Sequence, residues 1–72
     1  MRVKKIAKHI LPNDKVVLYE VMPRNRRDET WRGTRTEMPL RYADWHVMHI
    51  RSEDENLVIY ATPKDMTHMK EE

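Results

Sequence analysis

The chain of 72 residues carries a formal net charge of +2 and contains no cysteine. This length predicts one domain near the lower limit for an unaided hydrophobic core, and the lack of cysteine excludes disulfides and thiolate metal sites. The sequence has no apolar run as long as a membrane helix, and its basic start lacks the apolar core of a signal peptide. We therefore expect a soluble cytoplasmic protein with no membrane association.

Charge is unevenly distributed along the chain. Residues 1–51 carry twelve Lys and Arg against six Asp and Glu, whereas residues 52–72 carry two against six. This division favours a dipolar surface that could orient a charged partner, although ordinary solvated faces would produce the same pattern.

The first predicted element is an amphipathic helix. Its apolar residues recur at helical spacing with basic residues between them: Val3, Ile6, Ala7, Ile10 and Leu11. Pro12 ends the helix, because proline pushes the residue before it out of helical geometry. A helix of about nine residues is marginal alone in water, so we expect it to dock on the rest of the domain.

Two strands are predicted next. Residues 15–22 (KVVLYEVM) are rich in β-branched and aromatic residues and are apolar on both faces, which is typical of a central strand. Residues 30–36 place Thr30, Arg32, Thr34 and Thr36 in alternation with Trp31, Gly33 and Arg35, which predicts a half-exposed strand paired back onto residues 16–22. The connection at 23–29 is long and charged for a hairpin, so we expect it to be mobile.

A β-hairpin is predicted in the second half of the chain. Residues 45–51 and 57–61 are strand-like and flank a polar turn, and the irregular alternation around Met48 indicates either a bulge or burial on both faces. The predicted fold class is α+β, with an N-terminal amphipathic helix packed on a small antiparallel sheet of about four strands. Residues 1–62 form this single domain, with a basic excursion at 23–38, and residues 63–72 form a short helical turn or a frayed tail.

Two stretches resemble small uncharacterised proteins of phages and prophages in Gram-positive bacteria. In the first, residues 3–10 (VKKIAKHI) lead through Pro12 to the strand KVVLYE, and the second extends from 39–42 (PLRY) to 57–60 (LVIY). The resemblance covers about half of the chain, and the arginine-rich middle departs from it. It implies a small accessory protein of a mobile element, such as a regulator or an inhibitor of a host system, and no particular activity.

The sequence contains few candidate residues for catalysis or metal binding. Ser52 is the only serine, Gly33 is the only glycine, and cysteine is missing, so no nucleophile motif or phosphate-binding loop is recognisable. His46 and His49 are three residues apart, which on a strand places them on opposite faces rather than on one metal ion. We therefore expect no enzymatic activity, no metal and no cofactor.

The basic excursion is the predicted binding surface. Residues 24–38 contain five arginines, the single glycine and one of the two tryptophans. Arginine donates a planar fork of hydrogen bonds to phosphate or carboxylate, and tryptophan stacks on bases. The candidate binding residues are Arg24, Arg26, Arg27, Trp31, Arg32 and Arg35.

These residues predict a small non-enzymatic nucleic-acid-binding accessory or regulatory protein that uses an arginine-rich ribbon with Trp31 as a stacking or packing anchor. The alternative is a protein-interaction module, in which the arginines bind an acidic protein partner and Trp31 is a buried hot spot. A homodimer fits either function, because the core is small and the second strand leaves an open edge.

Overall fold

A four-stranded mixed sheet dominates the protein, and the computed structural model describes residues 1–63. The strands are β1 (Lys15–Met22), β2 (Arg26–Thr34), β3 (His46–Glu53) and β4 (Asn56–Thr62). They lie in the order β2-β1-β4-β3, so that β1 and β4 are central. β1 is antiparallel to β2 and parallel to β4, and β3 is antiparallel to β4.

The central position of β1 confirms what the composition of residues 15–22 predicts. The pairing of β1 with β2 confirms the prediction made from residues 30–36. The predicted hairpin in the second half is also confirmed, and its irregularity is a bulge at Met48. The connection between β1 and β2 is shorter than predicted, because β2 already begins at Arg26 and only the 3-10 turn Pro23–Asn25 separates the strands. Arg24 adopts a left-handed φ of 68° in this turn.

The connection between β2 and β3 covers one face of the sheet. Both strands run in the same direction at opposite edges, so residues 35–45 must cross the sheet from one end to the other. This crossover contains the 3-10 turns Arg35–Glu37 and Leu40–Tyr42. It packs with the N-terminal segment on the main core, whose buried residues are Val3, Ile10, Val16, Leu18, Tyr42, Ile59 and Ala61.

The prediction of an amphipathic helix packed on the sheet is wrong. The helix α1 comprises only Val3–Ala7, and beyond it the backbone N–H groups bond to carbonyls three residues back rather than four. These tight turns carry Ile10 into the core, whereas Leu11 is 67% exposed. The apolar residues in the first eleven positions therefore belong to two elements, the short helix Val3–Ala7 and a following loop that buries Ile10.

The prediction of a purely antiparallel sheet is wrong as well. β1 and β4 pair in parallel over residues 15–20 and 56–61, a contact between segments about forty positions apart that no local pattern announces. The turn or tail predicted over 63–72 lies outside the described residues, apart from Pro63.

Candidate functional site

The face of the sheet opposite the crossover is named the open face here. Its apolar cluster consists of strand residues alone: Val17, Tyr19, Val21, Val58 and Tyr60. Within residues 1–63, the helix and the 3-10 turns pack on the other cluster and contribute nothing to this one. Within this part of the chain, the apolar residues of the open face thus pack only against side chains of the strands.

The first row of side chains across the open face has a cation at each end. In register, Arg32 of β2 lies beside Val17, Val17 lies beside Val58, and Val58 lies beside Arg51 of β3. The two valines are only 3% and 4% exposed. Within residues 1–63, neither α1 nor the 3-10 turns pack on these valines. A flanking arginine can lay its aliphatic stem on such apolar surface while its guanidinium group stays in water.

The second row combines aromatic rings. Tyr19 and Tyr60 are register neighbours on β1 and β4, and their rings stack with centroids 5.1 Å apart and planes 24° apart. His49 of β3 lies on the far side, with its ring centroid 5.9 Å from that of Tyr60. Tyr60 is 8% exposed whereas Tyr19 is half-buried, so Tyr19 is the more accessible ring for an incoming ligand.

Arg27 reaches across the sheet from β2. Its guanidinium carbon lies 5.0 Å from the ring centroid of Tyr60, a cation–π arrangement. Within residues 1–63, salt bridges engage Arg32 and Arg51, but no carboxylate lies within 4.0 Å of the Arg27 guanidinium. Arg27 is therefore held in place by an aromatic ring while its N–H donors keep their capacity for an anion.

A bulge in β2 decides which side chains reach the open face. The register shifts opposite Leu18 and Tyr19, and Thr30 is the extra residue. Without this insertion, strict alternation after Arg27 would place Trp31 on the open face and Arg32 on the covered face. The bulge exchanges them, so that Arg32 joins Arg27 and the indole of Trp31 packs against the main core.

The electrostatics of the open face are cationic with internal pairing. Arg32 donates two hydrogen bonds of 2.9 Å to the two carboxylate oxygens of Glu29, and this interaction lowers the pKa of the Glu29 carboxyl. Arg51 lies 3.2 Å from the Glu53 carboxylate. By strand alternation this face carries four cationic side chains and two carboxylates: Lys15, Arg27, Arg32 and Arg51, and Glu29 and Glu53. A cationic excess remains.

The structure divides the six predicted binding residues into three groups. Arg27 and Arg32 lie on the open face. Arg24 is exposed in the hairpin turn, and Arg26 is exposed with its Nε 3.7 Å from Asp28 on the other side of β2. Two positions are engaged within the fold. Trp31 packs on the main core, and Arg35 donates a hydrogen bond of 3.1 Å to the carbonyl of Ile10.

Sequence reasoning missed half of this surface. Tyr19, Tyr60, His49 and Arg51 belong to three different strands, and only the parallel pairing of β1 with β4 brings them together. A signal was nevertheless present in β1. Val17, Tyr19 and Val21 alternate with the core-facing residues of β1 and form a second, largely apolar face of the strand.

A scan against protein-family models found no match, and the chain matches none of the curated proteins or solved structures compared with it. Within residues 1–63, no helix is long and apolar enough to cross a membrane. The same part of the chain contains no group of three or more His, Asp or Glu side chains arranged to hold a metal ion. The geometry and charge of the open face are therefore the features that indicate a function.

Proposed function

We propose that the protein is a small non-enzymatic nucleic-acid-binding protein and that the open face of its sheet is the binding surface. The observation that carries the proposal is the combination of cations and aromatic rings on the open face of the sheet. Arg27, Arg32 and Arg51 surround the stacked pair of Tyr19 and Tyr60. Cationic groups that follow a phosphate chain beside aromatic rings are the common features of nucleic-acid surfaces without a sequence motif.

The arginine-rich segment takes part in this proposal through two of its five arginines. Arg27 and Arg32 point to the open face, and the exposed Arg24 and Arg26 add long-range attraction at the hairpin end rather than direct contacts. Tyr19 takes the stacking role that the sequence assigns to Trp31, because the indole packs on the core. The resemblance to phage proteins adds a biological setting, an accessory or regulatory role in a mobile element in the cytoplasm.

The test is a fluorescence-anisotropy titration with labelled DNA and RNA, single- and double-stranded, between 50 and 200 mM salt. We expect micromolar affinity at low salt, falling steeply with salt, with a slope of log K against log salt of about −0.7 for each phosphate contacted on a single strand. The triple variant Arg27→Gln, Arg32→Gln and Arg51→Gln should abolish most binding and flatten this slope. The matched control is Arg24→Gln with Arg26→Gln, which removes charge from the same hairpin away from the open face.

A loss of binding in the control equal to that in the triple variant would overturn the assignment of the open face, since it would show that only net charge matters. No binding to any nucleic acid at 50 mM salt would overturn the function itself. Circular dichroism of every variant confirms that the sheet is retained, so that lost affinity is not mistaken for lost fold.

Protein binding is the second candidate function, favoured by the exposed apolar side chains of edge strand β3. Met48 is 46% exposed and Ile50 is 40% exposed. An acidic partner would meet the same arginines, and Met48 would add an adaptable apolar contact. This function predicts a complex that tolerates moderate salt and weakens in Ile50→Ala. Phosphate binding at the open face predicts strong salt dependence and little effect of that change, since Ile50 pairs with Ile59 on the covered side of the sheet.

A further inference from the structure

A shallow cleft lies within the open face, between the ends of β1 and β4 and the edge strand β3. It has a volume of about 460 Å³ and is lined by Val21, Arg27, Met48, His49, Arg51 and Tyr60. Among these lining residues there is no carboxylate, while two guanidinium groups and one imidazole border an apolar floor. Such a volume falls within the range of ligand sites that hold a molecule of nucleotide size.

The cationic rim of the cleft is partly fixed before any ligand arrives. Arg27 lies 5.0 Å from the ring centroid of Tyr60, and His49 packs against the same ring with centroids 5.9 Å apart. A guanidinium nitrogen of Arg51 lies 3.2 Å from a carboxylate oxygen of Glu53, so Arg51 is ion-paired as well. A guanidinium that is already oriented loses less conformational entropy when it binds phosphate, so the aromatic contact of Arg27 favours binding, whereas the Glu53 carboxylate competes with a phosphate for Arg51.

The floor of the cleft distinguishes a nucleotide from a simple anion. Val21 is half-buried and Tyr60 is 8% exposed, and together with the thioether of Met48 they present an apolar surface beside the cations. Inorganic phosphate or a lone carboxylate would leave this surface in water. A phosphate that carries a nucleoside would bury it, and a base is free to do so only when it is not stacked and paired in a duplex.

We infer that this cleft anchors one nucleotide of a single-stranded nucleic acid. Its phosphate contacts Arg27 and Arg51, and its nucleoside lies over Val21 and Tyr60 beside Met48. The inference rests on the proposed function and adds to it the preferred ligand and the position at which the strand is held. Arg32 and Lys15, further along the face, contact the neighbouring phosphates of the same strand.

The test uses uridine 5′-monophosphate as the probe, with uridine and inorganic phosphate as the two partial ligands. Titrations are followed by amide chemical shifts of the full chain at 50 mM salt. We expect the nucleotide to bind at least about tenfold more tightly than either part and to shift the amides of Val21, His49 and Tyr60. It should also displace a labelled single-stranded oligonucleotide, and single strands should bind more tightly than duplexes of the same length.

Arg27→Gln and Arg51→Gln should each weaken nucleotide binding about tenfold, since each removes a charge-assisted hydrogen bond. Arg27→Lys keeps the charge but loses the planar fork, and an intermediate loss there would show that geometry matters beyond charge. Arg26→Gln, on the same strand but the opposite side, is the matched control and should change affinity less than about twofold.

The outcomes separate the two proposals. Oligonucleotide binding without nucleotide competition, or with shifts only outside the cleft, overturns the anchoring site while the nucleic-acid function stands. A failure of every nucleic acid and of the nucleotide overturns both. Nucleotide binding in the cleft without oligonucleotide binding supports the cleft as a ligand site but overturns its role in holding a strand.

Discussion

Gly33 tests the placement of Trp31 on the covered face. A Cβ added at Gly33 would lie 2.7 Å from Cζ2 and 3.0 Å from Cη2 of the Trp31 ring, and 3.1 Å from Oε1 of Glu37. Carbon atoms in ordinary contact are about 3.5–4.0 Å apart, so Gly33→Ala must displace the indole. The change also presses on the Glu37 carboxylate, which accepts a hydrogen bond of 3.1 Å from the N–H of Thr34.

The expected magnitude follows from two opposing terms. Overpacking a well-filled site costs about 1–3 kcal/mol, whereas replacing glycine by alanine within a strand recovers about 0.5–1 kcal/mol of backbone entropy. The φ angle of Gly33 is not positive, so the backbone itself accepts alanine. We therefore expect Gly33→Ala to lower the free energy of unfolding by about 1 kcal/mol, within a range of about 0–2.5 kcal/mol.

The assay is urea denaturation followed by far-UV circular dichroism, which reports on the sheet in every variant regardless of its tryptophan content. In a Trp31→Leu background the ring is gone, so the added alanine should be neutral or slightly stabilising, and the double-mutant cycle should give a coupling of about 1 kcal/mol or more. Stabilisation by Gly33→Ala in the otherwise unchanged protein would refute the close packing of the indole over the glycine. Affinity for nucleic acid at the open face should stay within about twofold of the parent, since the ring is on the other side.

The remaining predictions concern three polar contacts. Arg35→Met keeps the aliphatic stem but removes the donor to the Ile10 carbonyl, and chemical denaturation should show a loss of about 1–3 kcal/mol. Lys4 and, less strongly, Arg2 lower the pKa of the Asp44 carboxyl, so this carboxylate stabilises the fold above the pKa it has when unfolded. The stability difference between Asp44→Asn and the parent should thus shrink as the pH falls below about 4. Glu29→Gln removes the carboxylate that pairs with the Arg32 guanidinium. Binding of single-stranded nucleic acid at low salt should therefore tighten by about two- to fivefold.

Local sequence signals identify the strands but not the way in which they share faces. The β-branched run in β1 and the polar turn before β4 are sufficient to predict both strands. The irregular spacing near Met48 predicts either a bulge or burial on both faces, and the structure has the bulge. The bulge at Thr30 has no comparable signal, because threonine fits a regular strand equally well. One inserted residue reverses the faces of the side chains after it relative to those before it, so Arg32 lies on the same face as Arg27 although strict alternation would separate them.

The N-terminal segment shows a different limit of sequence reasoning. Apolar residues at helical spacing indicate burial of each residue in turn, but they do not require one continuous helix. Here the first N–H groups of α1 donate to the carbonyls of Trp45 and Ala43, each at 2.9 Å, so the segment is held by the chain that leads into β3. Tertiary hydrogen bonds of this kind override the weak preference of a nine-residue helix.

The topology also explains why cations lie beside the apolar cluster of the proposed binding surface. Within residues 1–63 the single crossover covers one face of the sheet, and on the open face the neighbours of Val17, Val58 and Tyr60 are side chains of the strands themselves. Arginine is suited to this because its stem packs on apolar surface while its head group stays in water. The same residues that flank the apolar cluster of the sheet therefore carry the charge of the proposed binding surface. Substitutions that truncate them to alanine would expose the valines and confuse stability with binding, whereas glutamine keeps the stem and isolates the loss of charge.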